Sequence, residues 1–514
     1  MKYFLTLIQL WVGFLSICAS YPKANIWIIP SVESPQVYRN YAQTSKVHLE
    51  MARGEVEHIQ LVFPSKVNEE YRFTFDRYLK GIQISARELK KMNGYYDALV
   101  PFKNQLKCTD TLTAVWITVQ CPSRVPVGKY HQTIKIEGSK HFTIQLDYNV
   151  HHTTIPLKSS IPITVGVENR CMTEGLNDKE ADKERQRWVD FVLSYRMTPI
   201  FGTQITPERW QYEHSFSPWA WNDKRSIRLL NDRRYSCYML PFFTLSENEL
   251  ASLLCNIQKK GKLKESLFYI WDEPAYMEDY EQIKRKVNII RKYASDARIL
   301  TTFFCGPRNG PRKGDLYAVF DYLKHHIHVA TISLAPCKGN EEEVQHIRYK
   351  VPEGIDWWSY VCWQPGGNEP NFLLQMKGIQ QRAVMWRTWK NGSQGFLYWN
   401  CNIYHKRNPF TYITDMPHGD GILIYPGDIL GCKGPIASAR LERWRDGAEE
   451  MELLRLVEKN YSKEKADTLL NIVYSSPLSF IEKAHNIPFF RKELLDQLDK
   501  TIPIDYKLRI TDFI

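Results

Sequence analysis

Ser266-Leu267-Phe268-Tyr269-Ile270-Trp271-Asp272-Glu273-Pro274, followed by a stripe of Tyr280, Ile283, Val287 and Ile290, decides how this chain is read. The first six residues carry no charge and have the length of a buried strand. Two acids and a proline end the run, because proline stops both ladder pairing and helix at that point. From about Met277 to Ala294 apolar residues recur at three- and four-residue spacing, the period of an amphipathic helix. A buried strand feeding an amphipathic helix is the unit of a parallel sheet covered by helices.

The unit recurs on both sides. Pro162 to Val167 reads as a strand, and Asp178 to Arg196 as its helix, with Trp188, Phe191, Val192 and Tyr195 on one stripe. Further strands fall near Pro199–Gly202, Ser236–Leu240, Ile299–Phe304, Val329–Leu334, Trp357–Cys362 and Gly395–Trp399. With Ser266–Trp271 they make eight, which predicts a (β/α)8 barrel over residues 157–435. Residues 21–156 have period two instead, as in Asn25–Ile29, His58–Val62, Val115–Val119 and Thr133–Ile136, with turn signals such as Pro126-Val127-Gly128 between runs. Strands without long helices predict an antiparallel β-sandwich there. After Gly434-Pro435, residues 436–514 read as a helical extension packed on the barrel. Its first helix runs from Ala437 to Lys459 with Leu441, Trp444, Ala448, Met451 and Leu454 inward.

Residues 1–20 have the form of a signal peptide: Lys2, an apolar run from Phe4 to Ile17, then Cys18-Ala19-Ser20 before a cut at Tyr21. An exported protein is expected, periplasmic, cell-surface or secreted. Leu15-Ser16-Ile17-Cys18 also loosely fits a lipoprotein box, but Ile17 is bulky where such boxes carry a small residue, so anchoring at Cys18 ranks second. No other run is long enough to span a membrane. The net charge of +11 is spread among interleaved acids and bases rather than gathered in a stripe, which argues against a nucleic-acid partner. The cysteines form no CxxC pair, so no zinc ribbon is expected, and Cys108 with Cys121 is the one pair considered for a disulfide. His151-His152 and His325-His326 are adjacent doublets that do not place two rings on one metal. No metal site, cofactor loop or Ser-centred nucleophile elbow stands out, and the sequence does not set an oligomeric state.

The C-terminal ends of barrel strands form the active-site face, so Asp272 and Glu273 are placed at the mouth. On a regular strand neighbouring side chains point to opposite faces, but at a turning strand end both can reach one cleft. A helix N-cap for Asp272, or surface ion pairs for both, is the competing structural role. Glycosidases with two separate carboxylates set them on opposite sides of the bond, about 5–9.5 Å apart. Neighbours in sequence approach from one side, which fits substrate assistance: the sugar's 2-acetamido oxygen attacks the anomeric carbon, one carboxylate orients the acetamido N–H, and the other protonates the leaving oxygen. Repulsion and burial would raise the acid's pKa.

Taken in order, several segments resemble glycoside hydrolase family 123 and its relatives. They are Ala52-Arg53-Gly54-Glu55-Val56-Glu57-His58-Ile59-Gln60-Leu61-Val62, Pro126–Tyr130, Tyr269–Pro274, Trp357–Tyr360, Pro370-Asn371, Arg382–Trp386, Gly395–Trp399, Gly419–Gly427, Gly434–Ile436 and Arg440–Gly447. The resemblance spans nearly the whole chain after the leader. It implies exo-acting release of terminal 2-acetamido sugars, β-N-acetylgalactosamine foremost, from a glycan or glycoconjugate, with Asp272 as stabiliser and Glu273 as general acid/base.

Candidate substrate-binding residues are Trp271, Trp358 and Tyr360, with Tyr398 and Trp399 from the eighth strand; those of one strand parity should face the cleft, and the others the barrel core. Trp357 and Trp363 belong to the same aromatic group. Arg170 is placed as a fork for ring hydroxyls or as a structural ion pair. Asn371 is a cleft contact or a helix N-cap. Asp420, between Gly419 and Gly421, reads as a turn rather than a ligand. Two other functions stay open at this level: a two-carboxylate glycosidase pairing Glu273 with Glu168 or Glu369, and a non-catalytic glycan-binding surface protein.

Overall fold

The computed structural model describes residues 25–76, 81–206, 211–404, 409 and 419–501; the leader, with Cys18 and the expected cut at Tyr21, lies outside them. Ten strands come first: β1 (Trp27–Pro30), β2 (Lys46–Arg53), β3 (Glu55–Pro64), β4 (Glu70–Phe75), β5 (Gln83–Met92), β6 (Tyr95–Pro101), β7 (Gln105–Lys107), β8 (Leu112–Cys121), β9 (Gly128–Glu137) and β10 (His141–Thr154). They form two five-stranded sheets, β1-β3-β8-β5-β6 and β2-β10-β9-β4-β7. The pairs are antiparallel except β2 with β10, which run parallel. Alternating residues such as Leu61, Ile117, Ile134 and Leu146 fill the space between the sheets. Cys108 and Cys121 are buried there as free thiols, so the disulfide considered from sequence is not formed.

The chain then enters a nine-stranded sheet: β11 (Ile163–Glu168), β12 (Thr198–Thr206), β13 (Gln211–Ser215), β14 (Tyr238–Met239), β15 (Ser266–Trp271), β16 (Arg298–Phe303), β17 (Val329–Ser333), β18 (Asp356–Val361) and β19 (Phe396–Tyr398). The order is β13-β12-β11-β19-β18-β17-β16-β15-β14, with every pair parallel except β12–β13. Helices follow most strands: α1 (Asn169–Thr173), α2 (Asp178–Ser194), α3 (Lys224–Leu229), α4 (Glu247–Lys259), α5 (Met277–Arg291), α6 (Leu316–Leu323), α7 (Glu341–Lys350) and α8 (Gly378–Lys390). The eight strands expected from sequence are all present, but the closed barrel is not. A ninth strand, β13, turns back antiparallel on β12, and β12 makes no ladder with β14. The seam is held by single bonds instead: Ser236 N–H to Thr198 Oγ1 (3.1 Å) and Phe216 N–H to Met239 O (2.6 Å). The sheet is therefore mostly parallel and nearly closed. Inward residues of alternate parity, among them Met239, Leu267, Tyr269, Leu300, Val329, Trp358 and Tyr360, pack as its inner core.

A short pair, β20 (Ile424–Pro426) and β21 (Pro435–Ala437), leads to α9 (Ala439–Asn460), α10 (Lys463–Leu470) and α11 (Ile487–Asp499). Leu441, Trp444, Ala448, Met451 and Leu454 are buried as expected, yet α9 is not amphipathic. Its charged residues Arg440, Glu442, Arg445, Asp446, Glu449 and Glu450 are buried as well, because the sandwich covers the face that sequence assigns to solvent. Ion pairs satisfy them. His58 bridges Asp446 (2.8 Å) and Glu442 (3.1 Å), Arg87 meets Glu442 (2.6 Å), and Arg382 grips Glu450 through two nitrogens (3.0 and 2.6 Å). Arg491 of α11 joins Glu55 and Glu57 of β3 at 2.9 Å each, and Arg196 joins Glu449 at 3.0 Å. No helix among the described residues is long and apolar enough to cross a membrane.

Candidate active site

At the C-terminal end of β15 the ladder with β16 slips by a residue between Tyr269 and Trp271, and Glu273 then takes a left-handed φ of +43°. Such a conformation is uncommon for a residue with a side chain and needs support from its surroundings. The slip and the turn break the strand's alternation, so both acids open on one cavity of about 880 Å³. Thr302, at the matching end of β16, secures them: the Glu273 N–H donates to its Oγ1 (2.9 Å), and its hydroxyl donates to Asp272 Oδ1 (2.8 Å). Tyr269 O–H donates to the same oxygen at 2.6 Å. Asp272 is thus fixed through Oδ1, while Oδ2 has no protein partner among the described residues.

Glu273 accepts a bond from the Tyr360 hydroxyl and makes no ion pair with any described residue. Partial desolvation in the cleft, and then the Asp272 charge beside it, push its carboxyl up to about 7; the Tyr360 bond and Arg308 work against that shift. Burial holds the Tyr360 and Tyr269 phenols well above the ordinary tyrosine range, so both remain donors. The His214 ring stacks on Tyr269 with centroids 4.4 Å apart and planes 9° apart. Burial pushes His214 down to about 3, so the ring beside the carboxylates is neutral near pH 7.

Much of the remaining lining is aromatic or acidic, including Tyr212, Phe243, Trp271, Tyr276, Trp363 and Trp399, with Glu278, Asp279 and Asp420. All of the lining follows residue 211, so among the described residues none of the sandwich reaches the cavity. Among the candidates, Asp272, Glu273, Trp271, Tyr360 and Trp399 meet there. Trp358 shares strand parity with Tyr360 but lies a step deeper, 1% exposed in the inner core beneath Gly395. Tyr398 is 0% exposed behind the sheet, its hydroxyl spent on Asp420. Arg170 turns to solvent and pairs with Glu174 at 3.6 Å, away from the cavity. Asn371 is neither a cleft contact nor a helix cap: its amide spans Cys362 O and Pro365 O (2.8 Å each) and braces the loop after β18. Glu369 is tied to Arg387 (2.8 Å) and Glu168 caps α1; neither lines the cavity.

Among the lining residues that sequence did not single out, Thr302, His214 and Asp420 stand against the two carboxylates or across from them. Thr302 had an available signal, since it stands at the end of a parallel strand with inward parity. His214 sits on β13, a strand whose mixed polar sequence Gln-Tyr-Glu-His-Ser shows no strand pattern. Asp420 was visible only as a turn acid. No group of three or more His, Cys, Asp or Glu among the described residues is arranged to hold a metal.

Residues 183–457, more than half of the chain, match the family described as glycoside hydrolase 123, catalytic domain. Among solved structures, a family 123 glycoside hydrolase from Clostridium perfringens, analysed for glycolipid glycan hydrolysis, is similar over 95% of this chain and 100% of its own, at TM-score 0.64 and 13% identity. That likeness concerns the fold. A β-galacturonidase from Eisenbergiella tayi (TM-score 0.35, 8% identity, 77% of this chain and 90% of that one) is more distant. So is a xyloglucanase from Bacteroides ovatus (0.22, 10%, 79% and 98%). No curated protein matches the chain.

Proposed function

Because this chain belongs to glycoside hydrolase family 123, we propose that it is an exo-acting enzyme releasing terminal 2-acetamido sugars, β-N-acetylgalactosamine foremost, by substrate-assisted catalysis with retention. The observation that carries the reading is the unequal pair on one wall of the cavity. Among the described residues Asp272 is anchored through one oxygen with the other unbonded, whereas Glu273 is pushed up to about 7 and forms no ion pair. The free Oδ2 of Asp272 accepts the acetamido N–H and steadies the positive charge that builds as the acetamido oxygen bonds to C1. The C1–O bond to the leaving group breaks as Glu273 passes its proton to that oxygen. Glu273, now a carboxylate, takes a proton from water, and the water opens the cyclic intermediate at C1 from the face the leaving group left. Two displacements at C1 give net retention.

The nearly closed sheet fits a (β/α)8 barrel with β13 inserted at its seam, and the leader fits export of the protein. The aromatic rim offers apolar faces to a sugar ring or to the acetamido methyl. Turnover of aryl glycosides of N-acetylgalactosamine, N-acetylglucosamine, galactose and glucose tests the reading. Cleavage of the acetamido pair alone supports it. Cleavage of all four, or a glycosyl group trapped covalently on a carboxylate, replaces it with a two-carboxylate mechanism, and turnover of none leaves a glycan-binding protein.

A further inference from the structure

Asp420 is 2% exposed, lines the cavity, and forms no ion pair with any described residue. It takes the Tyr398 hydroxyl on Oδ1 at 3.0 Å and the Trp399 indole N–H on both oxygens at 3.1 Å. An ionised carboxylate has about four acceptor sites, so these two donors leave Oδ2 with capacity. The turn that carries it is made for this contact. Gly419 and Gly421 both have positive φ (+81° and +69°), and a Cβ on Gly421 would come within 2.5 Å of the Trp399 ring. Arg440 donates to Gly419 O (2.7 Å) and fixes the turn from behind. A buried carboxylate with acceptor capacity to spare costs free energy, and among the described residues this one lies on the cavity wall with Arg440 acting on it only from behind.

Sheet order gives the placement. Trp399 directly follows β19, and three strands separate β19 from β15, so in a nearly closed sheet Asp420 lies across the mouth from Asp272 and Glu273. We infer that Asp420 and Trp399 form the recognition edge of the sugar site: the indole carries the apolar face of the ring, and Asp420 Oδ2 accepts hydrogen bonds from the hydroxyls farthest from the reacting carbon, on C4 and C6. The inference rests on the proposed reading only in assigning C1 and C2 to the Asp272–Glu273 wall. It defines the ligand as a neutral terminal sugar with those hydroxyls free. Substituents there would meet a closed, anionic wall, which gives the cleft its exo character.

The test is calorimetric binding of N-acetylgalactosamine, galactose and their 4-deoxy and 6-deoxy forms to the wild type and to Asp420→Asn, with kcat and KM on the matching aryl glycosides. At least one deoxy sugar should bind the wild type about 10–100-fold more weakly than its parent, the range for a hydrogen bond to a charged acceptor. In Asp420→Asn the parent should weaken and that difference should largely disappear. Equal deoxy penalties in both proteins, no penalty in the wild type, or a glycosyl adduct on Asp420 would overturn the assignment. If Asp420→Asn does not fold, Trp399→Phe, which keeps a ring but loses the tie to Asp420, should reduce the same penalty, and an undiminished penalty counts against it. Binding reads Asp420 even if no acetamido glycoside is cleaved, so failure of the catalytic reading and failure of this one are separate outcomes.

Discussion

Acidic side chains are collected in two places in this molecule, and their partners differ. Along α9 and β3, Glu55, Glu57, Glu442, Asp446, Glu449 and Glu450 meet arginines or His58 in a region closed to solvent. In the cleft, Asp272, Glu273 and Asp420 meet phenols, a hydroxyl and an indole. Raised proton affinity does not separate the two groups. Burial pushes Glu57 up to about 8 and Glu449 to about 7, as high as Glu273. What separates them is the kind of partner and the space in front. A cation beside an acid joins two layers of the fold, whereas a neutral donor beside an acid leaves its charge available to whatever enters the cavity.

The cleft side of this contrast breaks most sharply at Glu273. Glu273→Gln should lower turnover of substrates with poor leaving groups by about 10²–10⁴-fold, the usual worth of a general acid, and spare more activity on activated aryl glycosides. In the wild type, turnover of the poor leaving groups should fall as pH rises through about 7, because the protonated form is lost there. Asp272→Asn should hurt both substrate types, since it removes charge stabilisation rather than a proton. It should also weaken binding of a thiazoline that resembles the cyclic intermediate. Steady-state kinetics with paired substrates, and inhibitor titration, check these outcomes.

At the interface the largest expected effect is on folding. Arg491→Met removes the only cation that joins Glu55 and Glu57 to α11 among the described residues. Leaving buried charge uncompensated typically costs about 3–5 kcal/mol. Urea titration should show that loss, while kcat of the remaining folded protein stays near wild type. A drop in kcat at unchanged stability would mean that the two acidic regions are linked, contrary to their separation in the structure.

Sequence carries the local half of this organisation. The run Ser266–Pro274 and the other barrel strands are legible because each is apolar over its own length, and α2 and α5 because their stripes repeat within a single helix. What depends on neighbours distant in sequence is not legible. The polar face of α9 reads as solvent-facing until β3 covers it. Trp358 and Tyr360 have the same parity, and only depth in the sheet separates core from cleft. Tyr398 and Trp399, of opposite parity, are both candidates, and sequence does not say which of the two reaches the cleft; Trp399 does. Asp420 is a turn acid by composition and comes to line the cavity beside the indole packed on Gly421.

The smallest expected effect concerns the one bond that Glu273 accepts from a side chain among the described residues. Tyr360 donates to Oε1, and a donor favours the charged carboxylate over the neutral acid. The bond therefore works against the burial and the Asp272 charge that hold Glu273 high. Tyr360→Phe keeps the ring packed in the inner core and deletes only the hydroxyl, so the proton affinity of Glu273 should rise further. The pH above which poor leaving groups are no longer cleaved should move upward, with little change in rate well below it, where Glu273 is protonated in either protein. On activated aryl glycosides, where water attack can limit, Glu273 is needed as a base, and the rise in rate with pH should shift upward by the same step. Parallel pH profiles on the two substrate types read both limbs. Profiles unmoved by Tyr360→Phe would mean that the phenol positions substrate rather than tuning the acid. A downward shift would contradict the assignment of Glu273 as the group that holds the proton.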